Sequence, residues 1–135
     1  MRNFFKKKSK SIEEYLNILV QKPKINFQID IIRNDLVEIQ ITRQRLLKKF
    51  GFNILNLDGF SISLSFDKKN EIDYQRFLKS NIFDNAIHFE KLGKTYFLLC
   101  KNNLEDILNL LNEIQVSVYD YNQGTIYGFK YIKHK

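Results

Sequence analysis

The chain has 135 residues, a formal net charge of +7 and a pI near 9.4, with 44% hydrophobic and 27% charged residues. That is a single-domain length with the composition of a globular chain, and no apolar run reaches the roughly 18–20 residues a membrane helix needs. Cys100 is the only cysteine, which excludes an internal disulfide and a multi-thiolate zinc site.

Arg2, Lys6, Lys7, Lys8 and Lys10 precede any acid, so residues 1–10 read as a basic arm. Ser11 and Glu14 form an S-x-x-E capping box, and Ile12, Leu16, Leu19 and Val20 mark one face of a helix that Pro23 ends. "KINFQIDI" alternates as a half-buried strand. Asn34 or Asp35 is then expected to cap a second helix, carrying Leu36, Ile39, Leu46, Leu47 and Phe50 inward and stopping at Gly51. "VEIQIT" (residues 37–42) also alternates, so a strand followed by a shorter helix is the alternative.

"FNILNLDGFSISLSFD" reads as two strands about an Asp58-Gly59 turn, with Ile62, Leu64 and Phe66 on one face. "EIDYQRFLKS" is ambiguous between helix and strand; as a strand it would put Glu71 and Asp73 on one face. "AIHFEKLGKTYFLLC" gives a strand, a Gly93-Lys94 turn and a second strand. Asn103 and Asp106 cap a third helix through Leu111 and Ile114, and "VSVYDYNQGTIYGFKYI" predicts strand, Gly124 turn, strand. The fold class is therefore α+β in two small lobes. An N-terminal αβαββ lobe over residues 11–70 precedes a β-rich C-terminal lobe with one short helix over residues 71–135.

Motifs for catalysis are lacking. There is no phosphate-binding glycine loop and no nucleophile elbow. His88 and His134 are unlike in context, and Cys100 has no histidine near it in sequence. The chain is expected to be no enzyme and to hold no cofactor, metal or small-molecule substrate. The charge is placed unevenly: residues 103–128 contain no lysine or arginine but include Glu105, Asp106, Glu113 and Asp120. Lys22, Lys24, Arg33, Arg43, Arg45, Lys48, Lys49, Lys91, Lys94 and Lys101 fall at predicted element ends and turns, where cations meet phosphates. "CKNN" (residues 100–103) places a cation and two amides before a helix N-terminus. RNA, recognised by shape, is the expected partner.

The order of elements resembles the small ribosomal subunit protein eight family. Ser11, Ile12 and Leu16 match in kind its opening D-x-I-x-x-x-L, and "LKKFGF" (residues 47–52) matches L-[KR]-x-x-G-F-I up to Asn53. "ISLSF" stands at its paired strands, "SNIF" at its S-x-P-G, "LCKNN" at its serine loop, and "QGTIYGF" at its closing glycine motif. The resemblance implies a structural constituent of the small ribosomal subunit that binds and positions central-domain rRNA beside neighbouring ribosomal proteins. Carried over by position, the RNA contacts would be Arg33, Asn34, Ser80, Asn81, Lys101, Asn102 and Asn103, with Lys6, Lys7 and Lys8 adding phosphate contacts from the arm. The bias toward residues with AT-rich codons adds an organellar, mitochondrial expectation, with plastid or bacterial cytoplasm as alternatives. Other readings are a protein like large-subunit protein ten, a phage or plasmid nucleic-acid-binding protein, and a structural subunit of an organellar complex.

Overall fold

The capping box opens the first helix. In a computed structural model, which describes residues 10–52, 54, 56–86 and 88–134, Ser11 Oγ accepts from the Glu14 N–H at 3.1 Å and Glu14 Oε1 accepts from the Ser11 N–H at 3.0 Å. Two donors that the first turn leaves without helical partners are thereby satisfied. α1 (Ile12–Gln21) buries Leu16 and Leu19 and ends ahead of Pro23, whose ring breaks a helix. β1 (Asn26–Arg33) follows with Phe27, Ile29 and Ile31 inward.

The expected second helix is a strand. β2 (Leu36–Arg43) pairs Ile39 with Ile31 and Ile41 with Ile29, and on its other side Ile41 with Ile62. Burying those side chains against two neighbouring strands decides in favour of the alternating pattern. Asn34 and Asp35 are not caps. They form the two-residue β1–β2 loop with φ of 54° and 62°, the pair of positive φ values a tight hairpin demands. Helical spacing survives only in a 3₁₀ segment, Gln44–Phe50, which stops at Gly51 in the left-handed conformation, φ 75°.

The expected Asp58-Gly59 hairpin is also absent. No described residue between Gly51 and Phe60 is in a strand, and only β3 (Phe60–Ser65) forms. Gly59 serves close approach: a Cβ there would stand 2.5 Å from Gln44 Nε2 and 2.7 Å from the Cys100 carbonyl oxygen. "EIDYQRFLKS" becomes α2 (Glu71–Lys79), so Glu71 and Asp73 sit in a helical first turn, where the dipole favours acids, and not on a strand face. After a short α3 (Ile82–Asn85), β4 (His88–Leu92) and β5 (Thr95–Cys100) meet about Gly93 at φ 62°. Asn103 caps α4 (Leu104–Glu113), accepting from the Asp106 N–H at 3.0 Å. A π turn, Ile114–Val118, extends that helix where a strand was expected, because Ile114 and Val118 complete its buried face. β6 (Gly128–His134) closes the chain.

The strands make one antiparallel sheet in the order β4-β5-β3-β2-β1-β6. α1, α2 and α4 cover one face around Phe27, Ile62, Leu98, Phe77 and Leu110. A smaller cluster of Leu47, Phe97 and Leu99, with Phe52 and Ile54 against it, lies under the 3₁₀ segment. Strands from both sides of residue 70 share the sheet, since β5 pairs with β3 and β6 with β1. The α+β class holds, while the αβαββ order of the first 70 residues is replaced by αβββ.

Candidate nucleic-acid interface

Antiparallel pairing gathers the start of β1, the end of β2, the start of β3 and the ends of β5 and β6 at one edge of the molecule. Arg43 pairs with Phe60, Phe60 with Cys100, and Asn26 with His134. The segments leaving this end carry Lys22, Lys24, Arg45, Lys48, Lys49 and Lys101, and Lys133 adjoins the last paired residue. Among residues 22–26, 43–60, 100–103 and 133–134, Asp58 is the single acid; Glu105 and Asp106 follow in the first turn of α4. Asp58 accepts from Arg45 Nη2 at 2.7 Å and from Lys24 Nζ at 3.4 Å. Every lysine of this set is exposed. The opposite end is mixed: Arg33, Lys68, Lys69, Lys91 and Lys94 stand among Asp35, Glu38, Asp67, Glu71 and Asp73.

Arg43 joins the segments of the cationic end. It continues the inward series Ile39, Ile41 and has no solvent exposure. Nε donates to the Ile25 carbonyl at 3.1 Å, Nη1 to the Asp58 carbonyl at 3.0 Å and to Asn102 Oδ1 at 3.3 Å, and Nη2 to the carbonyls of Leu19 at 2.9 Å and Lys22 at 3.3 Å. All five guanidinium donors are used. The guanidinium lies 5.2 Å and 4.7 Å from the ring centroids of Phe27 and Phe60. Burial, with the charge of Arg45, lowers its pKa to about 10, so it stays charged at neutral pH. One side chain thus ties the end of α1, the entry to β1, the Asp58 turn and the β5–α4 loop together.

The residues expected to touch RNA divide accordingly. Lys101 joins the cationic end. Asn102 is occupied by the scaffold, accepting from Arg43 and donating from Nδ2 to the Val20 carbonyl at 3.0 Å. Asn103 is spent on the α4 cap. Arg33 and Asn34 lie at the opposite end, where Arg33 Nη2 donates to Glu38 Oε2 at 2.8 Å. Ser80 Oγ donates to the Phe77 carbonyl at 2.7 Å, and Asn81 is exposed beside Arg76 and Lys79 on the helical layer. Lys6, Lys7 and Lys8 lie outside the described residues. Lys22, Lys24, Lys48 and Lys49 were individually legible as cations at element ends; their convergence was not.

Other chemistry-bearing groups have structural partners. Glu38 Oε1 accepts from the Tyr121 hydroxyl at 2.7 Å, the Glu38 carbonyl accepts from the Tyr119 hydroxyl at 3.0 Å, and Arg33 stacks 4.6 Å from the Tyr121 centroid. Burial first, and Glu38 after it, push both phenols well above the ordinary tyrosine range. Burial pushes the Cys100 thiol up to about 12, which leaves it unreactive at neutral pH. His88 is exposed and meets Glu90 at 3.0 Å. Among the described residues no group of three or more His, Cys, Asp or Glu could hold a metal ion. Comparison with protein-family models, with curated proteins and with solved structures finds no match to this chain.

Proposed function

We propose that the protein is a non-catalytic RNA-binding protein that seats its cationic sheet end on the phosphates of a folded RNA. The observation that carries this reading is the gathering of Lys22, Lys24, Arg45, Lys48, Lys49, Lys101 and Lys133 at one end of the sheet, where Arg43 ties together the segments around Lys22, Asp58 and Asn102. Phosphate contacts position a protein on RNA without demanding a catalytic pocket. Small-subunit rRNA in an organellar ribosome is the specific partner the sequence resemblance suggests. It rests on the "LKKFGF" corner, because the helix expected before that corner is a strand.

Binding of the full chain to a transcribed central domain of small-subunit rRNA is expected to weaken steeply with salt. If most of the seven cations release counterions, log K falls against log salt with a slope of about −4 to −5. A slope flatter than about −1 contradicts the proposal, as does tighter binding to a DNA duplex of equal length.

A further inference from the structure

The sheet face opposite α1, α2 and α4 carries a groove of about 220 Å³ next to the cationic end. Pockets for drug-sized ligands run to roughly 300–1,000 Å³, and this smaller groove is of a size for one planar heterocycle. Gln28, Gln40, Thr42 and Ser63 line it with amides and hydroxyls, and Phe50 and Phe97 line it with aromatic rings. We propose that it receives one unpaired base of the bound RNA, stacked at Phe50 with its edge on Gln28 and Gln40. This rests on the RNA-binding reading and adds to it a subsite that needs no phosphate.

The amides are set in advance. Gln28 Nε2 and Gln40 Nε2 both donate to Asp30 Oδ1, at 2.8 Å and 3.1 Å. A carboxylate accepts only, so it fixes which way both amides face. Each is left with its Oε1 and one N–H, the paired acceptor and donor that a base edge matches in bidentate fashion. A buried carboxylate beside this floor also favours a neutral, donor-bearing base there over a phosphate.

Two further observations favour a ligand in this groove. His134 lines the groove, and its Nε2 is buried with no hydrogen-bond partner among the described residues. Phe50 is 41% exposed although its ring lies 5.5 Å from Phe52 and 5.6 Å from Phe97. Unpaired RNA bases stack on such aromatic side chains while their edges are read by polar groups. Lys49, with Nζ 5.2 Å from the Phe50 centroid, links the groove to the lysines that would hold the adjoining phosphate.

Titration of the labelled full chain with adenosine, followed by NMR through the side-chain amides of Gln28 and Gln40, tests the groove without any phosphate. Millimolar adenosine is expected to shift both amides, ribose 5-phosphate is expected to shift neither, and Phe50→Ala is expected to weaken adenosine binding about tenfold with the fold unchanged. Absence of shifts with adenosine, equal shifts with ribose 5-phosphate, or full binding by Phe50→Ala overturns the base site. If salt-dependent RNA binding persists in that case, the RNA-binding reading stands alone. Adenosine binding by a chain that binds no RNA would overturn the assignment of the groove to RNA.

Discussion

Replacing Arg43 by methionine is expected to remove about 3–5 kcal/mol of folding stability, out of the roughly 5–15 kcal/mol typical of a domain. The substitution removes a donor from the carbonyls of Ile25 and Asp58 and the amide oxygen of Asn102, while the Leu19 and Lys22 carbonyls keep the backbone N–H groups of Lys22 at 3.2 Å and Ile25 at 3.1 Å. Each orphaned buried acceptor costs about 1–3 kcal/mol. Methionine recovers some packing between Phe27 and Phe60, so the sum stays below three full penalties. In urea the midpoint should fall by about 2 M with the slope unchanged. A fall below about 0.5 M would mean that the anchor is dispensable. Arg43→Lys keeps the charge but supplies three donors from one point and should lie between the two.

Alkaline pH is expected to destabilise the fold from about pH 9. The Cys100 thiol ordinarily titrates near 9.0 and is held at about 12 in the folded chain. Between those values the unfolded chain has released this proton and the folded chain keeps it, so stability falls as pH rises, by up to about 4 kcal/mol. Tyr119 and Tyr121, also raised in the fold, act in the same sense from about pH 10. Arg43 acts oppositely. Its folded value of about 10 lies below its ordinary 12.5, so there the unfolded chain holds the extra proton and stability rises with pH. Two phenols and a thiol outweigh one guanidinium, and the urea midpoint should hold to about pH 8.5 and drop beyond it. Cys100→Ala should delay the drop to about pH 10. A midpoint constant to pH 10.5 would contradict the account.

Much of the fold was legible where one local signal acts alone. The Ser11 capping box, the Asn103 cap, the left-handed Gly51 and the Gly93 turn each follow from the chemistry of two to four adjacent residues. The misreadings arise where two signals compete. Asn34-Asp35 suits both a helix cap and a tight hairpin turn, and only pairing of Ile39 and Ile41 across the sheet selects the hairpin. The β-branched residues of "VSV" alternate like a strand, yet Val118 is fully buried where it continues the face of α4. The candidate site was legible only in pieces. Its cations converge through antiparallel pairing, and its anchor joins residues far apart, as when Asn102 reaches the Val20 carbonyl. Alternation alone would have placed Arg43 inward beside Ile39 and Ile41, and a buried arginine needs partners.

The most direct measurement compares RNA affinity between two variants that lose equal charge from opposite ends of the sheet. One carries Lys24→Ala, Lys48→Ala, Lys49→Ala and Lys101→Ala; the other carries Lys68→Ala, Lys69→Ala, Lys91→Ala and Lys94→Ala. Each phosphate-contacting lysine that is lost should weaken binding and flatten the salt slope by about 1. The first variant is therefore expected to lose about 3–4 units of slope, and the second to keep its slope within about 1 unit. Equal losses in the two variants, or a larger loss in the second, would show that net charge rather than the Arg43-braced end governs binding.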